Sequence, residues 1–82
     1  MESKLRRVFA EAFEMDEGEI FDDSSPETVV RWDSLNHLKM AMAMEAAFGV
    51  KLTMKEIRSM VTFARIREVL AVRAGRPGRE PA

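Results

Sequence analysis

Cysteine is absent from the 82 residues, which excludes disulfide bridges and thiolate metal sites and leaves stability to helix packing. Long apolar runs are missing too. None approaches the roughly 20 residues that a helical membrane span needs, and the opening Met1-Glu2-Ser3-Lys4 lacks the apolar segment of a secretion signal. These absences argue against membrane insertion and for a cytoplasmic chain. Net charge is nearly absent as well: at −1 there is no cationic excess to recruit a nucleic acid. Acidic residues do gather at Asp16, Glu17, Glu19, Asp22 and Asp23. They lack the spacing of acids, glycine and closing glutamate of a calcium-binding loop, so no metal site is expected. No internal repeat and no second domain are visible.

What the chain does contain is apolar residues, 46% of the total, spaced for helices. Its length allows one small domain with a thin core. Leu5, Val8, Phe9, Ala12 and Phe13 recur at i, i+3, i+4, i+7 and i+8, which predicts a first helix from about residue 3 to 14 with one buried face. Residues 15–33 are rich in Asp, Glu and Ser and read as a long loop, pinned to the bundle by Ile20 and Phe21. Ser25-Pro26-Glu27-Thr28 starts a short helical turn within it. A second helix is expected from Ser34 to Phe48, ended by Gly49. Thr53-Met54-Lys55-Glu56 is a capping box, which opens a short third helix that buries Met54, Ile57 and Met60 or Val61. Thr62 caps a fourth, with Phe63, Ile66, Val69 and Leu70 inward and Arg65, Arg67, Glu68 and Arg73 outward. The fold class is therefore all-α: a small bundle of three main helices plus a short third one over residues 1–74, with a disordered tail over residues 75–82.

The junction at Arg31-Trp32-Asp33-Ser34-Leu35 places a single hydroxyl where the acidic loop meets an apolar helix. Asp33 is a good N-cap, so Ser34 falls in the first helical turn, where unpaired N–H groups and the helix dipole favour a bound or attached phosphate. Taken alone, the same dipeptide also reads as an ordinary cap pair. His37 lies one turn from Ser34, which invites a serine hydrolase reading with Asp33 as the acid. Neighbours on one helical turn do not supply the opposed acid and oxyanion donors that a triad needs, so a surface polar role for His37, or one beside a phosphate, is preferred. Trp32, the single tryptophan, either anchors the loop to the bundle or contacts a ligand or partner; anchoring is favoured.

The flanks make the junction specific. Trp32-Asp33-Ser34-Leu35-Asn36-His37-Leu38, then Met40 to Met44, Glu45 and Phe48-Gly49-Val50, resembles the Asp-Ser-Leu segment and following helix of acyl carrier proteins. Met15-Asp16-Glu17-Gly18-Glu19-Ile20 and the stretch from Glu56-Ile57 to Leu70 align with the same family, so the resemblance runs from about Leu5 to Leu70. It implies a monomeric carrier, not an enzyme, with 4′-phosphopantetheine attached to Ser34 and Asp33 helping to position that serine. The arm's thiol would hold an acyl group as a thioester. The implied partners are a phosphopantetheinyl transferase and the enzymes that load and accept the acyl group.

The second helix carries only Glu45 as a charge between Met40 and Phe48, so in so small a domain it is expected to keep an apolar strip for a partner. Ala41, Met44 and Phe48, with Met40 and Ala47, form its core row. Leu35, Leu38 and Met42 form a second row leading away from Ser34, assigned to the rim of an acyl pocket or a partner surface. Two departures from the family stand out. Trp32 occupies a position where many members have a small residue. Carriers of primary fatty acid synthesis present an acidic second and third helix, whereas residues 34–60 here hold four basic and two acidic residues, a net of +2. Residues 1–33 carry four basic and ten acidic residues, so charge is divided unevenly along the chain. Lys39, Lys55 and Arg58 are therefore expected to set partner choice, and a specialised lipid or polyketide pathway fits better than housekeeping fatty acid synthesis. Two alternatives remain: an aminoacyl or peptidyl carrier, although its usual Gly-Gly-His-Ser or Gly-Gly-Asp-Ser run is absent, and a helical adaptor that binds a partner through the Met-rich second helix.

Overall fold

The spacing of Leu5, Phe9 and Phe13 drives the first helix onto the rest of the chain. In a computed structural model, which describes residues 2–74, this helix spans Glu2–Phe13 (α1) and buries Leu5, Phe9, Ala10 and Phe13. Val8 and Ala12 pack at its margin. The helix ends at Glu14, a non-glycine residue in the left-handed region (φ 53°), where the Met15 N–H reaches back to the Ala10 carbonyl at 3.0 Å. The second helix spans Ser34–Phe48 (α2), the third Met54–Ser59 (α3) and the fourth Phe63–Ala74 (α4). Among the described residues there is no strand, and no helix is long and apolar enough to cross a membrane. The expected all-α bundle with a short third helix is observed; the tail expected over residues 75–82 lies outside the described residues.

α1 packs against α2, whose inward row is Met40, Ala41 and Met44. α4 closes the core with Phe63, Ile66, Val69 and Leu70, and α3 contributes Ile57 with Met60 just beyond it. Phe9 sits at the centre, its ring centroid 4.8 Å from Phe13, 5.1 Å from Phe63 and 5.5 Å from Trp32. The contacts with Phe63 and Trp32 are edge-on, an arrangement that adds about 0.5–1.5 kcal/mol each beyond the apolar area buried. Gly49 ends α2 in the left-handed conformation (φ 64°), and its N–H and that of Val50 both return to the Glu45 carbonyl. Thr53 and Glu56 close the capping box of α3 reciprocally, at 3.1 and 2.9 Å.

The loop between α1 and α2 is fixed by hydrogen bonds as well as by its buried apolar residues. Ile20 is buried as expected, but Phe21 is 64% exposed. Its backbone is held in a tight turn in which the Phe21 N–H donates to Ser24 Oγ at 2.9 Å and the Ser24 N–H donates to the Phe21 carbonyl at 3.0 Å. The turn fixes the loop without needing the ring. Two carbonyls of this segment then cap the fourth helix: Ser24 accepts from the Phe63 N–H at 3.1 Å and Asp22 from the Ala64 N–H at 2.9 Å, while Thr62 Oγ1 accepts from Arg65. The helical turn that begins at Ser25 is present, closed by the Thr28 and Val29 N–H groups on the Ser25 carbonyl, and it delivers Val29 into the core. Met54, expected to be buried, is 55% exposed. A helix of six residues turns only one residue inward, here Ile57.

Candidate functional site

The loop's last act is to set the start of α2. Trp32 is buried against Phe9 and Phe13, and Asp33 follows in extended conformation as the N-cap, its carboxylate accepting the Asn36 N–H at 2.8 Å. Asn36 Nδ2 donates back to the Arg31 carbonyl at 2.7 Å, so the junction is tied from both sides. Ser34 is the first helical residue and is exposed. Among the described residues, neither its N–H nor that of Leu35 meets a protein acceptor, so two donors of the first turn face outward beside the hydroxyl.

Ser34 lines a groove of about 620 Å³ between α2 and α3. Trp32, His37 and Leu38 form the wall on the α2 side, and Met54, Ile57, Arg58 and Val61 the wall on the α3 side, with Pro26 at one end. Of the residues singled out from the sequence, the structure brings together Ser34, Asp33, Leu38 and Arg58 in this groove. Leu35, Met42, Lys39 and Lys55 are exposed outside it. Met54 was expected in the core and Val61 there only as the alternative to Met60; Met60 is the one buried, and Met54 and Val61 line the groove. Their exposure, 55% and 46%, follows from the brevity of α3, which no periodic signal in so short a segment reveals.

His37 is not a free surface residue: both of its ring nitrogens are engaged by the protein. Its Nδ1 receives the indole Nε1–H of Trp32 at 2.8 Å, and its Nε2 lies 2.7 Å from the Ile57 carbonyl. An indole N–H can only donate and a carbonyl can only accept, so the ring must be neutral with its proton on Nε2. This bridge runs from the loop through α2 to α3 and fixes the floor of the groove. It also removes both ring nitrogens from Ser34, which disposes of a Ser-His pair. Trp32 is thus a loop anchor that also lines the groove and orients the imidazole.

Around the site the carboxylates are engaged. Glu45 Oε2 accepts the Leu52 N–H at 2.8 Å. Glu56 accepts the Thr53 N–H and meets Arg73 at 2.7 Å; the backbone hydrogen bond first, and the guanidinium second, hold its carboxyl below the usual range.

These features define a helical bundle with an exposed serine at the head of its second helix and an apolar groove beside it. No family model matches the sequence. Among solved structures the chain is similar to the solution NMR structure of a holo acyl carrier protein from Geobacter metallireducens, with a TM-score of 0.83 at 18% sequence identity, covering 98% of this chain and 92% of that one. At that identity the likeness establishes the acyl-carrier fold.

Proposed function

We propose that the protein is an acyl carrier, modified on Ser34 Oγ with 4′-phosphopantetheine, that holds an acyl intermediate and delivers it to partner enzymes of a specialised lipid or polyketide pathway. The observation that carries the reading is the placement of Ser34, an exposed hydroxyl at the first position of α2 within a fold of acyl-carrier type. The residues present fit the group. The hydroxyl is accessible to a transferase, the outward N–H groups of Ser34 and Leu35 suit a phosphodiester, and the groove that begins at Ser34 is lined by Leu38, Met54, Ile57 and Val61. Once attached, the arm supplies the thiol on which the acyl group is carried. Asp33 acts on Ser34 indirectly: by capping Asn36 it fixes the first turn and so the direction of the hydroxyl. Ser34 has no imidazole to activate it, since the one histidine is engaged by Trp32 and Ile57.

The test is the intact mass of the purified protein before and after incubation with coenzyme A, magnesium and a broad-specificity phosphopantetheinyl transferase. Wild type gains one phosphopantetheine and Ser34→Ala gains none. No gain in a folded wild type with two different transferases contradicts the carrier reading and leaves the helical adaptor, whose partner binding Ser34→Ala does not alter.

A further inference from the structure

Leu35, Leu38, Lys39 and Met42 stand at i, i+3, i+4 and i+7 of α2, and every one of them is exposed. This is the spacing of a buried helix face, yet it points away from the core and begins one residue after Ser34. Across the groove α3 adds exposed Met54, Lys55 and Arg58. Lys39, Lys55 and Arg58 form no ion pair with any described residue. Of the nearby carboxylates, Glu56 is paired with Arg73, whereas Asp33 and Glu45 accept the backbone N–H groups of Asn36 and Leu52 and pair with none of these cations. The face therefore presents unpaired cations among apolar side chains.

We infer that this α2–α3 face docks onto partner proteins whose binding pockets are apolar and rimmed with carboxylates, the transferase that modifies Ser34 among them. Charge complementarity identifies the partner. The interleaved Leu35, Leu38, Met42 and Met54 call for a concave, desolvating surface, which a protein provides. An anionic membrane is disfavoured because recognition of that kind takes about 4–8 clustered cations, and the acidic loop of residues 16–23 adds repulsion toward any extended polyanion. The transferase must approach this face because its target serine lies on it.

The inference rests on the carrier reading for its probe, the phosphopantetheinyl transferase of the cells that make the protein. Its kcat/KM is measured with coenzyme A and magnesium between about 0.05 and 0.5 M salt, a range that shortens the screening length severalfold. Wild type loses efficiency on the order of tenfold across it. Lys39→Glu/Lys55→Glu/Arg58→Glu, checked for native helix content by circular dichroism, loses as much already at low salt, chiefly through KM. Arg7→Glu on α1 stays at the wild-type value. Modification that is insensitive to salt, or unharmed by the triple reversal, overturns the inference and leaves the carrier reading intact. No modification of wild type at any salt overturns both. Co-sedimentation with phosphatidylserine vesicles that the triple reversal abolishes replaces the protein partner with a membrane.

Discussion

His37 shows how much one ring can decide. Its two nitrogens join Trp32 of the loop to Ile57 of α3, and the donor and acceptor rules allow only the neutral Nε2–H form to do so. A second proton on the ring would set Nδ1–H against the indole N–H and open the bridge. His37→Phe keeps the aromatic bulk but strands a part-buried indole N–H and a carbonyl, at a cost of about 1–3 kcal/mol. Thermal unfolding then falls by roughly 4–8 °C per kcal/mol in a domain this size. Trp32→Phe in the same background removes the stranded donor, so the double variant loses less than the sum of the single losses. Additive losses contradict the bridge. This role was not legible in the sequence, because Ile57 stands 20 residues away and only the packed α2–α3 pair brings its carbonyl to the imidazole.

At the scale of the elements, helix limits were legible wherever a short-range signal carried them. Asp33 and Gly49 bound α2, and Thr53 with Glu56 opens α3, because caps depend on residues within one turn. The loop was misjudged at Phe21 and α3 at Met54 for the opposite reason. Apolar character names a candidate for burial, but the turn closed by Ser24 and the brevity of α3 decide which side chains reach the core. The loop's attachment to α4 is similarly long-range. Arg67 meets Glu2 of α1 at 3.0 Å and Asp22 of the loop at 2.8 Å, tying the elements across the sequence. The hydrogen bond from Arg67 holds the carboxyls of both Glu2 and Asp22 below their ordinary values of 4.5 and 3.8, and raises the guanidinium's own. A carboxyl lowered in the folded state adds stability above its unfolded value and loses it as pH falls through the lower folded value. Stability attributable to this tie is therefore constant at neutral pH and disappears below about pH 4. Arg67→Gln removes it: the variant melts lower than wild type at pH 7, and the two curves converge as the solution is acidified. Parallel curves across that range contradict the tie.

For the molecule as a whole, the acyl-carrier fold and the position of Ser34 follow from sequence and structure together. Charge divides along the chain, with the acidic excess in residues 1–33 and free cations on the face that holds Ser34. The groove beside Ser34 is where the two descriptions differ most. Leu38 and Arg58 were legible as site residues, and His37 as a neighbour of the serine in sequence, whereas Met54 and Val61 enter only through the packing of α3. Whether Ser34 carries the arm is read from protein isolated from the cells that make it. Cleavage after Arg31 and Lys39 releases residues 32–39, with Ser34 as the only serine of the fragment. If Ser34 carries the arm, this peptide has the added mass of one phosphopantetheine and no other peptide does. An unmodified peptide in protein from actively growing cells, or the same mass on Ser24, Ser25 or Ser59, would contradict it.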